Sequence, residues 1–145
     1  MKKSFLLILT TLLITYATPT TVYAKVMSNN EGQATVAANE IISDDLWVSG
    51  KEVVIEGLVE GDLYAAGESI KISGTVNGDV FAAGSKIEIS GKIGQDLYAA
   101  GENISLTKTI VTDTTMLAGA NVTLDNATRI GGSLLSAAAS VSNEA

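Results

Sequence analysis

Apolar positions recur along this chain in columns spaced 17 residues apart. Asp45-Leu46-Trp47-Val48-Ser49-Gly50 is followed in register by Asp62-Leu63-Tyr64-Ala65-Ala66-Gly67, Asp79-Val80-Phe81-Ala82-Ala83-Gly84 and Asp96-Leu97-Tyr98-Ala99-Ala100-Gly101. Two further columns hold Val53, Ile70, Ile87, Ile104 and Ile55, Ile72, Ile89, Leu106, and a fourth holds Val59, Val76, Ile93, Ile110. Within each unit apolar and polar residues alternate over three or four positions between Gly, Asn or Asp. That is the pattern of short strands with one buried face, and it does not fit a helix. The inward candidates Ile70, Ile72, Val76, Val80, Ala82 and Ile87 lie 2, 4, 4, 2 and 5 residues apart, which makes three sides and three corners. The chain is therefore expected to be all-β, a single-domain parallel β-solenoid, triangular and with about six turns of 17 residues. Like positions stack about 4.8 Å apart, so six turns give a rod about 29 Å long. No single unit can bury its own apolar face, and stability must come from stacking.

The register softens at both ends. Val36, Ala38 and Ile42 lie one repeat before Val53, Ile55 and Val59, so the solenoid domain is set at residues 36–145. Lys25 to Thr35 is polar and is expected to be a flexible segment. Downstream, Asp113 continues the Asp column, Thr114 to Gly119 runs one residue late, and Gly132 to Ala137 runs about two late. Residues 1–24 read as a secretory signal peptide: Lys2 and Lys3 precede the apolar run Phe5 to Tyr16, and Val22-Tyr23-Ala24 provides small residues before a cut at Lys25. The run falls short of the roughly 18 to 20 residues a membrane span needs.

Composition narrows the function. The sequence holds neither Cys nor His, which removes disulfides, thiolate chemistry and the commonest general base. Loss of Lys2 and Lys3 with the leader takes the formal charge from −7 to −9, a sign that repels phosphate backbones and argues against nucleic acid as a partner. No nucleophile elbow, phosphate loop, EF-hand or dinucleotide fingerprint occurs, so no catalytic, cofactor-binding or metal-binding residues are assigned and the protein is expected not to be an enzyme.

The units Gly61-Asp62-Leu63-Tyr64-Ala65 and Gly78-Asp79-Val80-Phe81-Ala82, with the stretches Ile70 to Val76 and Ile87 to Ile93 between them, resemble the bactofilin or polymer-forming cytoskeletal family. The likeness spans about Asp45 to Val141. It implies a right-handed β-helix that polymerises end to end, without nucleotide, into non-polar filaments used as scaffolds at bacterial membranes. Typical members are cytoplasmic and lack a signal peptide, so here the resemblance implies a scaffold in the cell envelope, periplasm or extracellular space. Left-handed hexapeptide acyltransferases, the nearest other solenoids, step by 18 residues per turn and use a His base. Neither feature is present.

Two columns carry candidate chemistry. Trp47, Tyr64, Phe81 and Tyr98 adjoin the inward Leu46, Leu63, Val80 and Leu97, so alternation turns the rings outward. They form either a ladder that only stabilises the sheet or a binding or assembly surface for a polysaccharide, a membrane surface or another protomer. The column Asp45, Asp62, Asp79, Asp96, Asp113 puts like charges at a corner, where Asp commonly caps turn N–H groups; calcium is the other reading. No capping element is legible at either end of the array. Open rungs invite stacking of another copy, so the main expected partner is the chain itself, unless a continuation of the sequence covers them.

Overall fold

The computed structural model describes residues 25–144; the stretch read as a signal peptide lies outside the described residues. Seven long strands alternate with six two-residue strands. The long ones are β1 (Lys25–Val36), β3 (Leu46–Ile55), β5 (Leu63–Ile72), β7 (Val80–Ile89), β9 (Leu97–Leu106), β11 (Thr115–Asp125) and β13 (Leu134–Glu144). The short ones are β2 (Ile41–Ile42), β4 (Leu58–Val59), β6 (Thr75–Val76), β8 (Lys92–Ile93), β10 (Ile110–Val111) and β12 (Arg129–Ile130). Long strands pair only with long strands and short with short, in chain order and parallel throughout. The molecule is a β-solenoid, and its seven-stranded sheet gives it about seven turns instead of six.

Each long strand makes two sides of a turn. In β5, Leu63 and Ala65 are buried, then Ile70 and Ile72, so the two-residue alternation breaks between Ala65 and Ile70. Pairing with β7 runs through Gly67 and Gly84, skips Glu68, and resumes at Ser69 and Lys86. The bend lies there, and Gly occupies it for lack of space: a Cβ on Gly84 would strike the carbonyl oxygen of Gly67 in the rung beneath. No Gly among the described residues has a positive φ, so close approach and not left-handed backbone selects Gly here. The short strands supply the third side, with Val59, Val76 and Ile93 fully buried. The expected core columns Val53, Ile70, Ile87, Ile104 and Ile55, Ile72, Ile89, Leu106 are all at most 2% exposed.

The edges of the array differ from the sequence expectation. Lys25 to Thr35 is not a flexible segment; with Val36 it forms β1, paired to β3 from Lys25 opposite Leu46 to Val36 opposite Ile55. A bulge between Asn29 and Gln33 takes up the extra residues that hide this rung from a 17-residue scan. Ala34 and Val36, not Val36 and Ala38, stand in the Val53 and Ile55 columns, and Ala38 is exposed. Ile42 keeps its expected place opposite Val59.

At the other end the extra residue enters one step earlier than expected, at the corner of Thr107, Lys108 and Thr109. Val111 therefore pairs with Ile93 and is buried, while Ile110 is 44% exposed. Lys108 accommodates the insertion with φ of 54°, the left-handed region. Asp125 holds that corner, its carboxylate accepting from the Lys108 N–H at 2.9 and 3.0 Å and from the Thr128 hydroxyl at 2.7 Å. Those donors, led by the Lys108 N–H, keep the Asp125 carboxyl below the usual carboxylate range. The shift also removes Asp113 from the Asp column; Thr114 takes the place after Asp96.

Candidate functional site

Trp47, Tyr64, Phe81 and Tyr98 are each the second residue of a long strand, and each follows an inward residue that is fully buried. They face outward, as alternation demands, and form one row along the solenoid axis. Ring centroids are 3.9 Å apart for Trp47 and Tyr64, 4.9 Å for Tyr64 and Phe81, and 4.8 Å for Phe81 and Tyr98. Interplanar angles of 8°, 2° and 5° make this a continuous parallel stack. The faces of the rings are used on one another, so the row presents ring edges to the outside.

The row is longer than the four aromatics. Register places Val26 opposite Trp47, Met116 opposite Tyr98 and Leu135 opposite Met116. Sequence reading missed these three because insertions displace each from the 17-residue register. Beside the row runs a second outward column, Ser49, Ala66, Ala83, Ala100, Ala118 and Ala137, two positions along each strand. Large side chains next to methyl groups leave an open groove of about 740 Å³ running from Val26 and Met27 to Leu135 and Ala137. Its lining is apolar apart from Ser49, the indole N–H and the tyrosine hydroxyls.

The Asp column borders the ring side of this groove and is built as a ladder of caps. The backbone N–H of Asp62 donates to Asp45 Oδ1 at 2.9 Å, that of Asp79 to Asp62 Oδ1 at 2.8 Å, and that of Asp96 to Asp79 Oδ1 at 2.9 Å. The Thr114 N–H donates to Asp96 Oδ1 at 2.8 Å and closes the series. Each carboxylate thus satisfies an N–H of the next rung, the turn-capping role. Neither of the ion pairs among the described residues, Lys25 with Glu40 and Lys86 with Glu88, touches this row. No cluster of carboxylates among the described residues is arranged to hold a metal ion.

The row's negative charge is felt by the phenols. The Tyr98 hydroxyl donates to Asp96 Oδ2 at 3.0 Å; this bond first, then burial, raises its pKa. Tyr64 is raised by burial first and then by Asp62, Asp45 and Asp79. Both phenols stay neutral beyond the ordinary tyrosine range, and both hold their O–H at the border between an apolar trough and an anionic corner. No described helix is long and apolar enough to cross a membrane. Comparison with protein-family models, curated proteins and solved structures found no match.

Proposed function

We propose that this chain is a non-enzymatic structural protein that self-assembles end to end into a scaffold in the cell envelope. The observation that carries the reading is the exposed rung β13. Leu134 stands in the core column of Leu46, Leu63, Val80 and Leu97, and Val141 in that of Val53, Ile70, Ile87 and Ile104, yet they are 48% and 56% exposed. In β1 the same two columns hold Lys25, a charged side chain in place of an apolar one, and the buried Ala34. Core side chains on a strand paired along one edge only form a surface that another rung completes with the ladder already used inside the molecule.

Three sequence features support the same reading. The repeat resembles bactofilins, the leader-like Met1 to Ala24 directs the chain out of the cytoplasm, and the absence of His and Cys leaves little for catalysis. Sedimentation across a concentration series, with negative-stain imaging of the heaviest fraction, tests the proposal. Rods one solenoid wide that lengthen with concentration are expected. Leu134→Asp with Val141→Asp should leave the circular dichroism of the monomer unchanged and abolish the rods. A monomer at every concentration, or rods that survive the double substitution, overturns it.

A further inference from the structure

We propose that the groove beside the ring row binds one long alkyl chain of a cationic or uncharged amphiphile, laid parallel to the solenoid axis. The groove spans seven rungs, Val26 to Leu135, and so extends about 29 Å. Half of a bilayer's hydrocarbon core is only about 15 Å deep, so the trough takes an entire lipid-length chain. Its volume of about 740 Å³ lies within the usual range for small-molecule sites.

The lining decides the chemistry. Between the rings and the alanine methyls only Ser49, the indole N–H and the tyrosine hydroxyls offer hydrogen bonds, too few for the N–H and C=O groups of a bound peptide, most of which would be desolvated without compensation. A sugar polymer binds aromatic rings face on, and here the faces are stacked against one another with interplanar angles of at most 8°. A second copy would seat its rings in the alanine trough but would set its Asp row against the opposite corner of Lys51, Glu68, Ser85 and Glu102, where two carboxylates oppose it and a single Lys attracts it. A polymethylene chain has no polar groups along its length and no charge to oppose. The carboxylates of Asp45, Asp62, Asp79 and Asp96 along the rim, unpaired with any Lys or Arg among the described residues, select the head group: a cation or a neutral hydrogen-bond donor is favoured and an anion repelled.

Trp47 is the single Trp of the chain and sits in the ring row, so its fluorescence reports occupancy. Titration of the whole protein with alkyltrimethylammonium ions of ten, twelve and fourteen carbons, below their micelle concentrations, should give dissociation constants that tighten about two- to fourfold per added methylene. Alkyl sulfates of equal length should bind at least tenfold more weakly. Ala83→Leu with Ala100→Leu fills the trough at exposed positions without altering charge; it should leave the melting curve in place and weaken binding more than tenfold. Affinity indifferent to chain length, equal binding of the sulfates, or unchanged binding by the filled variant overturns the proposal, the last by showing mere attraction of cations to an acidic protein. A Trp47 signal that follows protein concentration alone assigns the groove to a second copy and overturns it. Binding to phosphatidylcholine vesicles without uptake of the monomeric amphiphiles makes the face a membrane contact, and overturns it too.

Discussion

Thr109 and Thr115 show how one hydroxyl can help or harm the same core. Both are fully buried. Thr109 Oγ1 donates to the Ile89 carbonyl at 2.6 Å, whereas Thr115 Oγ1, in the column that Leu46, Leu63, Val80 and Leu97 fill with hydrocarbon, has no partner. A buried hydroxyl without a hydrogen bond costs about 1–3 kcal/mol, while a satisfied one contributes about 1 kcal/mol. Valine is close to threonine in shape, so the two sites should respond with opposite signs. Thr115→Val should raise the free energy of unfolding by about 1–2 kcal/mol and Thr109→Val lower it by about 1 kcal/mol, read from urea denaturation midpoints at constant slope. Equal effects at the two sites would show that the hydroxyl of Thr115 is bonded in solution.

Among the elements, the long strand with its single bend determines how much of the structure can be read from the chain. Gly84 is confined by the Gly67 carbonyl of the neighbouring rung, so Gly84→Ala should separate β7 from β5 locally and destabilise by about 1–3 kcal/mol. Thermal unfolding checks this, and a neutral substitution would place the bend elsewhere. The columns around Ile70 and Ile72 were legible because each inward position is large and aliphatic in every unit from β3 to β9. The end rungs were not, because hydrophobicity there does not choose a phase. Ile110 and Val111 are both apolar, and only the corner at Lys108, where φ is 54°, decides which faces inward. At β1 the polar run from Ser28 to Gln33 reads as a tail, yet backbone pairing to β3 and a bulge make it a rung. The ring row was legible by alternation, but its groove was not, since inward Ala65 and outward Ala66 look alike in the sequence.

Across the whole molecule each turn touches only its neighbours, and cohesion is close to a sum of rung-to-rung terms. A charge placed in a middle rung breaks two such terms at once. Ile72→Asp, at a fully buried position, should cost at least about 3–5 kcal/mol, a large part of the stability expected for a domain of this size. Circular dichroism and limited proteolysis should show the array lost or cut in two; an intact fold would reject the core assignment. Amide exchange in the native protein should be slowest in β5, β7 and β9 and fastest in β13, whose core residues Leu134 and Val141 lie open.

The evenness of β5, β7 and β9 has a consequence for how such a chain can change length. Leu63, Val80 and Leu97 are aligned without offset, and Asp62, Asp79 and Asp96 hand on one capping bond each. Removing Asp79 to Gln95 would bring Asp96 under the carboxylate of Asp62 and leave every ladder bond with an equivalent partner. Gene duplication or deletion in whole repeats is thus nearly silent for the fold, whereas the loss of one residue must find a corner such as Lys108 to absorb it. The molecule behaves as a ruler graduated in rungs, and the length of its groove is inherited in the same increments.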